Sequence, residues 1–354
     1  MENLTGLELT CNLTKHGFIF TLIPLVYSCN FLLGVVGNSM VVAVIYYRLK
    51  LKTVANVFVL NLALSDLTFL VTLPMWAAYT ALGYDWPFGD FLCKAAAGLA
   101  FFTLYASVFF LTALSVDRYL AIVRPVESRQ CRTVAYAWSV CALVWLLAFV
   151  LSLPIAYIRK THFIKHANVT VCGLLDAEHE SLLAALSLMK AVLGFILPLL
   201  VILTCYSLIG RALLEAGHVR KSSGMQGDEV FRMLAAAVLS FFLCWAPHQV
   251  LGFMEALLTL KKIRACTVVA VIDTAMPFAI CVAFFNSCMN PILYGFVGKN
   301  FRRSLLKLLR CSSGSSTLSH PTLSTRMSTL SCRASEPVQN TDRRTTPLPQ
   351  EPDT

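Results

Sequence analysis

The stretch that decides the fold runs from Cys93 to Val123 and reads CKAAAGLAFFTLYASVFFLTALSVDRYLAIV. It is long and apolar, and near its end an acid and an arginine, Asp117 and Arg118, precede Tyr119. An apolar run of this length predicts a membrane-crossing helix, for which roughly 20 residues suffice. Ionisable groups near the end of such a helix are costly and usually functional. The alternative is an interfacial arginine that reaches lipid phosphates.

The composition of the whole chain agrees with a membrane protein. Of the 354 residues, 57% are hydrophobic and 14% are charged, and the mean hydropathy is +0.69, which argues against a soluble domain of this size. Seven apolar stretches are long enough to cross a bilayer as helices. They lie near 18–47, 54–80, 90–123, 133–157, 183–212, 229–259 and 267–296. The sequence therefore predicts an all-α fold, a bundle of seven transmembrane helices within residues 18–296.

Basic residues beside the spans predict the orientation. They are Arg48, Lys50 and Lys52 after span one, and Lys299, Arg302, Arg303, Lys307 and Arg310 after span seven. Such residues stay on the cytoplasmic side, so the N-terminal segment, residues 1–17, is expected outside the cell. Glycosylation sequons fall on the outer segments at Asn3, Asn12 and Asn168. The net charge of +10 then reflects orientation in the lipid bilayer, and no nucleic-acid partner is expected.

Four of the 13 cysteines fall on the outer side: Cys11, Cys93, Cys172 and Cys266. Four cysteines allow three disulfide connectivities. A bond between Cys93, which opens span three, and Cys172, in the longest outer loop, would hold that loop over the mouth of the bundle. A bond between Cys11 and Cys266 would then join the N-terminal segment to the last outer loop.

Polar residues and prolines interrupt the other spans. They include Asn38 in span one, Asp66 in span two, Trp145 in span four, Pro198 and Tyr206 in span five, Cys244–Gln249 in span six and Asn286–Tyr294 in span seven. The Asp66 carboxylate near mid-membrane needs a cation, a proton or hydrogen-bond partners. Pro74 is expected to kink span two, and the prolines of spans five to seven create points where the helix can bend.

The C-terminal part divides in two. Residues 297–311 can place leucines on one side and cations on the other, which predicts an amphipathic helix on the inner leaflet. Cys311 follows as a candidate palmitoylation site. Residues 312–354 are rich in Ser, Thr and Pro, which predicts a disordered cytoplasmic tail.

Taken in order on seven spans, these motifs resemble the rhodopsin-like G-protein-coupled receptors. The residues that carry the resemblance are Asn38, Asp66, Asp117-Arg118-Tyr119, Trp145, Pro198, Cys244-Trp245-Ala246-Pro247 and Asn290-Pro291-Ile292-Leu293-Tyr294. Other stretches are similar to the angiotensin II receptors, chiefly to their type-1 branch: Tyr46–Ala55, Trp86–Gly89, Asp273–Pro277 and Leu323–Ser331. Parts of span seven are closer to the type-2 branch, namely Val269–Asp273, Pro277–Ile280 and Asn286–Cys288.

The residues expected at the outer mouth suit a zwitterionic or peptide ligand, because cations and acids would face one cavity. The resemblance implies a short peptide hormone, angiotensin II, whose terminal carboxylate binds Arg159 and Lys190. The peptide's arginine would meet Asp273 and Glu255. The remaining expected contacts are Tyr27, Trp76, Trp245, His248, Gln249 and Ile280. Three alternatives stay open: a lipid-facing Lys190, an interfacial Trp76, and a purely structural His248 and Gln249.

The resemblance also implies how the inner half transmits a signal. Arg118 would pair with Asp117 at rest and be released when span six moves outward, opening a groove for the C-terminal helix of a Gq-class G-protein α subunit and signalling through phospholipase C and calcium. Tyr119, Tyr206, Asn290 and Tyr294 belong to the same activation set. No cofactor is expected, apart from an allosteric sodium ion that favours the resting state. Its expected ligands are Asp66, Ser107, Asn286 and Asn290.

Two further expectations follow from the resemblance. Residues of the tail match a cluster phosphorylated by receptor kinases and read by arrestin: Ser324, Thr325, Ser328, Thr329 and Ser331. In the type-1 branch, an asparagine in span three hydrogen-bonds one in span seven and helps to hold the resting state. Here Thr103 and Ser287 stand at those positions, and Phe284 replaces a nearby tyrosine. We therefore expect a weaker latch and higher basal signalling.

Other function classes fit less well. A transporter or ion channel remains the alternative for seven spans with a buried acid, although no inverted repeat is visible. A membrane enzyme would need catalytic patterns such as HExxH, GxSxG or a P-loop, and the sequence contains none of them. The nearer alternative is another peptide receptor of the same fold, or a type-2-like receptor with weak G-protein coupling. In each receptor interpretation the chain lies in the plasma membrane.

Overall fold

The computed structural model describes residues 17–165, 167–174, 180–215, 225–259, 265–297 and 299–313. Within these ranges, seven helices are long and apolar enough to cross a membrane, which confirms the predicted all-α bundle. They are Ile19–Leu49, Val54–Ala81, Gly89–Val123, Val134–Ile158, Ala184–Glu215, Phe231–Leu258 and Cys266–Gly295, here called spans one to seven. The described helices and strands belong to the unit Met1–Cys311, apart from the last residues of the final helix, which extend into the second unit, Ser312–Thr354.

Local sequence features explain where several of the helices begin or break. Their bounds are Ile19–Val44, Val54–Leu70, Leu73–Ala81, Gly89–Val123, Pro125–Ser128, Val134–Ile158, Glu180–Ala191, Leu197–Glu215, Met225–Thr259, Cys266–Val297 and Lys299–Ser313, with π-helical turns at Ile45–Leu49 and Val192–Ile196. Threonines begin two of these helices, because the hydroxyls of Thr53 and Thr133 accept hydrogen bonds from the backbone N–H groups of Asn56 and Tyr136. Span two breaks at Val71–Thr72, next to Pro74 in the first turn of its outer half.

An antiparallel hairpin follows span four at the end of the bundle that is predicted to face outside, here called the outer end. Strand β1, Arg159–Ile164, pairs with strand β2, Val169–Leu174, so that Thr161 lies opposite Cys172. A disulfide joins Cys172 to Cys93 of span three, with 5.6 Å between the Cα atoms. The connecting turn places Asn168 at φ 54°, a left-handed conformation that asparagine tolerates better than most residues.

Two acids of the first outer loop region fix the hairpin in place. Asp85 accepts a hydrogen bond from the backbone N–H of Thr170 at 2.8 Å, and Asp90 accepts one from the N–H of Thr161 at 2.9 Å. The backbone N–H of Trp86 also donates to the carbonyl of Thr170 at 2.6 Å. Both strands are therefore attached to the ends of spans two and three as well as through the disulfide.

Buried polar side chains connect neighbouring spans inside the apolar core. The Trp145 indole N–H donates to the Asn61 side-chain oxygen at 2.9 Å, which joins span four to span two. The Asn38 amide donates to the carbonyl of Ser287 at 2.9 Å, which joins span one to span seven. Small residues and interhelical hydrogen bonds usually stabilise the association of membrane helices, because burial away from lipid gives no hydrophobic gain.

The final helix, Lys299–Ser313, extends two residues beyond the predicted 297–311 segment. Its buried Phe301 ring packs on Tyr294 with 6.1 Å between centroids, while Arg302 and Arg303 are exposed. The Arg48 guanidinium donates to the carbonyl of Lys307 at 3.1 Å, so the end of span one contacts this helix. The Cys311 side chain and the predicted phosphorylation cluster lie outside the described residues.

Candidate functional site

Arg159 is the first residue of strand β1 and follows span four directly. Its Nη1 donates to the carbonyl of Cys172 at 2.9 Å, whereas its buried Nε has no hydrogen-bond partner among the residues that the structure describes. Burial lowers the pKa of the Arg159 guanidinium, while interactions with Tyr79 and Glu255 favour the charged form. An arginine in this environment is a strong donor that still has capacity for an acceptor.

Lys190 lies on span five, just before the π-helical turn. Its Nζ is 5.9 Å from the centroid of the Phe101 ring in span three, and a Cβ built on Gly252 of span six would lie 3.5 Å from Nζ. Lys190 also interacts electrostatically with Arg159 and Glu255. The ammonium group therefore points between spans into the bundle, and the lipid-facing alternative does not describe its position.

Polar and aromatic side chains of span six form the deeper part of this region. The Trp245 ring packs on Phe241 at 6.1 Å and on His248 at 5.8 Å between centroids. Several polar atoms nearby are buried and have no partner within the described part of the chain: Trp245 Nε1, His248 Nδ1, Gln249 Nε2 and Trp76 Nε1. Buried polar atoms are normally paired, so these atoms are expected to form hydrogen bonds with a polar ligand or with water.

Trp76 and Tyr27 belong to aromatic clusters at the outer ends of spans one, two and seven. Trp76 packs on Trp86 at 5.5 Å and on Tyr79 at 6.1 Å between centroids, so it lies inside the bundle and not in an interfacial belt. The buried Tyr27 ring packs on Phe284 at 5.4 Å, in the same cluster as Ile280.

The acids occupy two different neighbourhoods. Asp273, on span seven, interacts with Tyr84 of the first outer loop, and burial followed by the Asp273 charge raises the pKa of the Tyr84 phenol. Glu255, on span six, interacts with Arg159 and Lys190. Sequence reasoning did not select Tyr84; the only available signal was an aromatic residue in a short outer loop rich in Gly, Trp and Pro.

A second polar region lies between spans two, three and seven. The Asn290 amide donates to Asp66 Oδ2 at 2.9 Å, and the hydroxyls of Ser65 and Ser107 are 3.1 Å apart. Asp66 Oδ1 and the Asn286 side-chain oxygen are buried and lack partners among the described residues. These unpaired oxygens fit the ligand type that a hard cation such as sodium prefers. Within the same residues, no cluster of three or more His, Cys, Asp or Glu side chains could hold a metal ion.

The two residues of the proposed latch make other contacts. The Thr103 hydroxyl donates to the carbonyls of Leu99 and Ala100 in its own helix, at 2.9 and 3.2 Å. The Ser287 carbonyl accepts from Asn38, as described above. Spans three and seven are therefore connected through span two, by the Ser65–Ser107 and Asp66–Asn290 contacts described above, and not through the Thr103 hydroxyl.

The inner end of span three carries a fully engaged carboxylate. Asp117, whose side chain is only 4% exposed, accepts from Arg118 through Oδ2 and from Arg132 Nε through Oδ1, the latter at 2.7 Å. Arg132 lies in the second inner loop and was not selected from the sequence. The alternative for Arg118 was an interfacial side chain that reaches lipid phosphates. Its pairing with the buried Asp117, which Arg132 also contacts, places Arg118 inside the bundle.

Two tyrosines of the predicted activation set lie near this end. The Tyr206 ring packs on Phe231 of span six at 5.2 Å, and Tyr294 is buried against Phe301. Neither hydroxyl has a hydrogen-bond partner in the described ranges. Tyr119 is half-buried, and its neighbour Arg124 forms an exposed pair with Glu127, which raises the pKa of Arg124.

Some predicted modification sites can be placed only in part. Asn168 is exposed in the turn of the hairpin. Cys266 is disulfide-bonded, and Cys11, its expected partner, lies outside the described residues, as do Asn3 and Asn12.

Comparison with known proteins agrees with this architecture. The profile of the family "7 transmembrane receptor (rhodopsin family)" matches residues 37–294. The chain belongs to the rhodopsin family of seven-transmembrane receptors. The receptor is 49% identical over 334 residues to the type-1 angiotensin II receptor of Homo sapiens, covering 94% of this chain and 92% of that protein. It is likewise 49% identical over 331 residues to the type-1 angiotensin II receptor B of Mus musculus, covering 93% and 92%.

These findings confirm the resemblance drawn from the motifs. The receptor is closely related to type-1 angiotensin II receptors, it is a multi-pass membrane protein, and its family is one of receptors and not of enzymes.

Proposed function

We propose that this receptor binds a short peptide hormone with a free C-terminal carboxylate at the plasma membrane, with its N-terminus outside, and that the hormone is angiotensin II. The observation that carries the proposal is the pair of inward-pointing cations, Arg159 and Lys190, with the Arg159 Nε lacking a partner among the described residues. A carboxylate supplies two acceptors and one negative charge to such a pair. The names of the relatives support angiotensin II as the specific ligand.

The rest of the cavity accommodates a zwitterionic peptide. Its terminal carboxylate binds the guanidinium of Arg159 and the ammonium of Lys190, and its own cation lies toward Asp273 and Glu255. Apolar side chains of the peptide pack against Tyr27, Trp76 and Ile280. Trp245, His248 and Gln249 provide deeper polar contacts to the end that carries the carboxylate.

Binding of the peptide transmits a signal by changing a population. An agonist that binds the open state more tightly shifts a pre-existing equilibrium toward it. Arg118 then leaves Asp117, span six moves outward, and the groove accepts the C-terminal helix of a Gq-class α subunit, leading to phospholipase C and calcium. A sodium ion at Asp66, Ser107, Asn286 and Asn290 stabilises the resting state, and receptor kinases followed by arrestin act on the tail.

The cation pair is tested by truncating each member. We expect Arg159→Ala and Lys190→Ala each to weaken angiotensin II binding by more than about tenfold, because removing one partner of a desolvated charged contact typically costs roughly 2–5 kcal/mol. Competition binding on cells with matched surface expression measures the change. Lys160→Ala is the matched control, since Lys160 is the next residue of strand β1 and is exposed. Unchanged affinity in both test variants would refute the carboxylate assignment.

A further inference from the structure

Glu255 of span six acts electrostatically on both cations of the outer region, Arg159 and Lys190. Glu255 and Gly252 are three residues apart on span six and so share one face of that helix. Lys190 approaches this face, since a Cβ on Gly252 would lie 3.5 Å from its Nζ. The charge of Glu255 acts on both Lys190 and Arg159.

The other acid of the cavity has different neighbours. Asp273 interacts with Tyr84, whereas the acid that favours the charged forms of Arg159 and Lys190 is Glu255. The two acids are therefore not equivalent: one belongs to the cation pair and the other to the aromatic outer loop.

A pair of buried cations requires compensation when no ligand is bound. Arg159 and Lys190 repel each other, and both lose hydration inside the bundle. A charge held in such a place is costly unless a counter-charge or hydrogen bonds offset the loss of water. The glutamate side chain is long and flexible, so its carboxylate can satisfy this need and still be displaced.

We propose that Glu255 is the counterion of Arg159 and Lys190 in the ligand-free receptor and that an incoming ligand carboxylate displaces it. This inference rests on the proposed function, in which those two cations receive the ligand's carboxylate. On displacement, the Glu255 carboxylate loses its cations and becomes available to a positive group of the ligand.

The exchange makes Glu255 a determinant of ligand specificity. A ligand with a carboxylate alone displaces Glu255 from Arg159 and Lys190 and offers it no cation in exchange. A ligand that carries both a carboxylate and a cation satisfies the cation pair and the displaced glutamate together. The cavity thus favours zwitterionic peptides over simple organic anions, although its most visible feature is a pair of positive charges.

The test uses two forms of angiotensin II that differ only at the C-terminus, one with a carboxylate and one with a carboxamide. The measured ratio is the dissociation constant of the carboxamide form divided by that of the carboxylate form, both obtained by competition binding. In the Glu255→Gln variant, Arg159 and Lys190 have lost this counterion. The ligand's carboxylate therefore contributes more to the binding free energy than it does in wild type. We expect the ratio to rise by at least about fivefold relative to wild type, which corresponds to about 1 kcal/mol.

Matched variants identify the cause. Asp273→Asn removes an equal charge from the other neighbourhood and is expected to leave the ratio unchanged. Glu255→Asp keeps the charge and is expected to hold the ratio close to that of wild type. Surface expression of each variant is measured through an N-terminal epitope, so that a folding defect is not mistaken for weak binding.

The outcomes separate the two hypotheses. If wild type prefers the carboxylate form and Glu255→Gln leaves the ratio unchanged or reduces it, the counterion assignment is wrong and the carboxylate site stands. An equal rise in Asp273→Asn would also overturn it, because any loss of negative charge would then suffice. If wild type binds both peptides equally, the carboxylate site itself fails, and the counterion proposal fails with it.

Discussion

The outer cavity and the inner end of span three both place arginine near acid, yet they are in opposite states. At the inner end, both oxygens of Asp117 accept from guanidinium groups, those of Arg118 and Arg132. In the outer cavity, Arg159 Nε and polar atoms of span six have no hydrogen-bond partner in the described part of the receptor. The Asp117 carboxylate is fully paired within the chain, whereas the outer site keeps hydrogen-bond donors that a ligand can engage.

This difference suggests how the two sites divide the work of a receptor. Unpaired buried donors make binding favourable, because each contact with the ligand removes an existing penalty. A saturated ion pair stabilises one state and must be broken to reach another. Under the proposed function, the outer site provides the driving force of ligand binding, and the inner ion pair sets how much of that free energy activation requires.

The largest expected effect comes from breaking the saturated site. Asp117→Asn keeps the shape of the side chain but leaves two guanidinium groups without an acid. Loss of one charged partner of a largely buried pair costs roughly 3–5 kcal/mol. We expect ligand-independent inositol phosphate to rise by at least about tenfold, limited by the response of wild type to saturating agonist.

The matched control is Glu127→Gln at the same end of the receptor. Glu127 forms an ion pair with Arg124 in which both side chains are more than half exposed, at 69% and 54%. Exposed pairs contribute little, so this variant is expected to keep wild-type basal signalling. Basal signalling of Asp117→Asn at the wild-type level, with normal surface expression, would show that the saturated pair does not hold the resting state.

A smaller effect is expected from adding a contact between the two regions. Thr103→Asn together with Ser287→Asn restores amides that can reach across spans three and seven. A net hydrogen bond is worth roughly 0.5–1.5 kcal/mol, so the double variant is expected to lower basal inositol phosphate by a factor of about 2 to 12. Each single variant is the control, because one amide alone gains no new amide partner.

The latch hypothesis has a clear contrary result. If wild type shows basal signalling at background and the double variant leaves it there, the latch hypothesis does not apply to this receptor. If the double variant raises basal signalling, the added amides disturb the Asp66 region and do not form a latch.

Much of the architecture could be predicted because the membrane imposes it on the sequence. Apolar length gave all seven spans to within a few residues, and Pro74 indicated the break in span two. The Thr103 hydroxyl bonds to its own helix, and the weaker latch expected from the short side chains stays a prediction.

Two kinds of contact could not be predicted from the sequence. One is made by residues of loops, and the other depends on which of several acids lies near a given cation. Arg132 reaches Asp117 from 15 residues away through the second inner loop, and no periodicity encodes that approach. Glu255 and Asp273 look alike as acids at the outer ends of spans six and seven. Only the packing of spans five and six places Glu255, and not Asp273, beside Lys190.

The most direct test of the account is a double-mutant cycle between the ligand's C-terminus and the cation pair. Dissociation constants of angiotensin II and its carboxamide form are measured on wild type and on the Arg159→Ala, Lys190→Ala double variant. We predict that wild type prefers the carboxylate by more than about tenfold, since a charged partner is lost in a dry site, and that the double variant binds both forms within about twofold. An equal preference for the carboxylate in both receptors would contradict the account, because the carboxylate would then bind elsewhere.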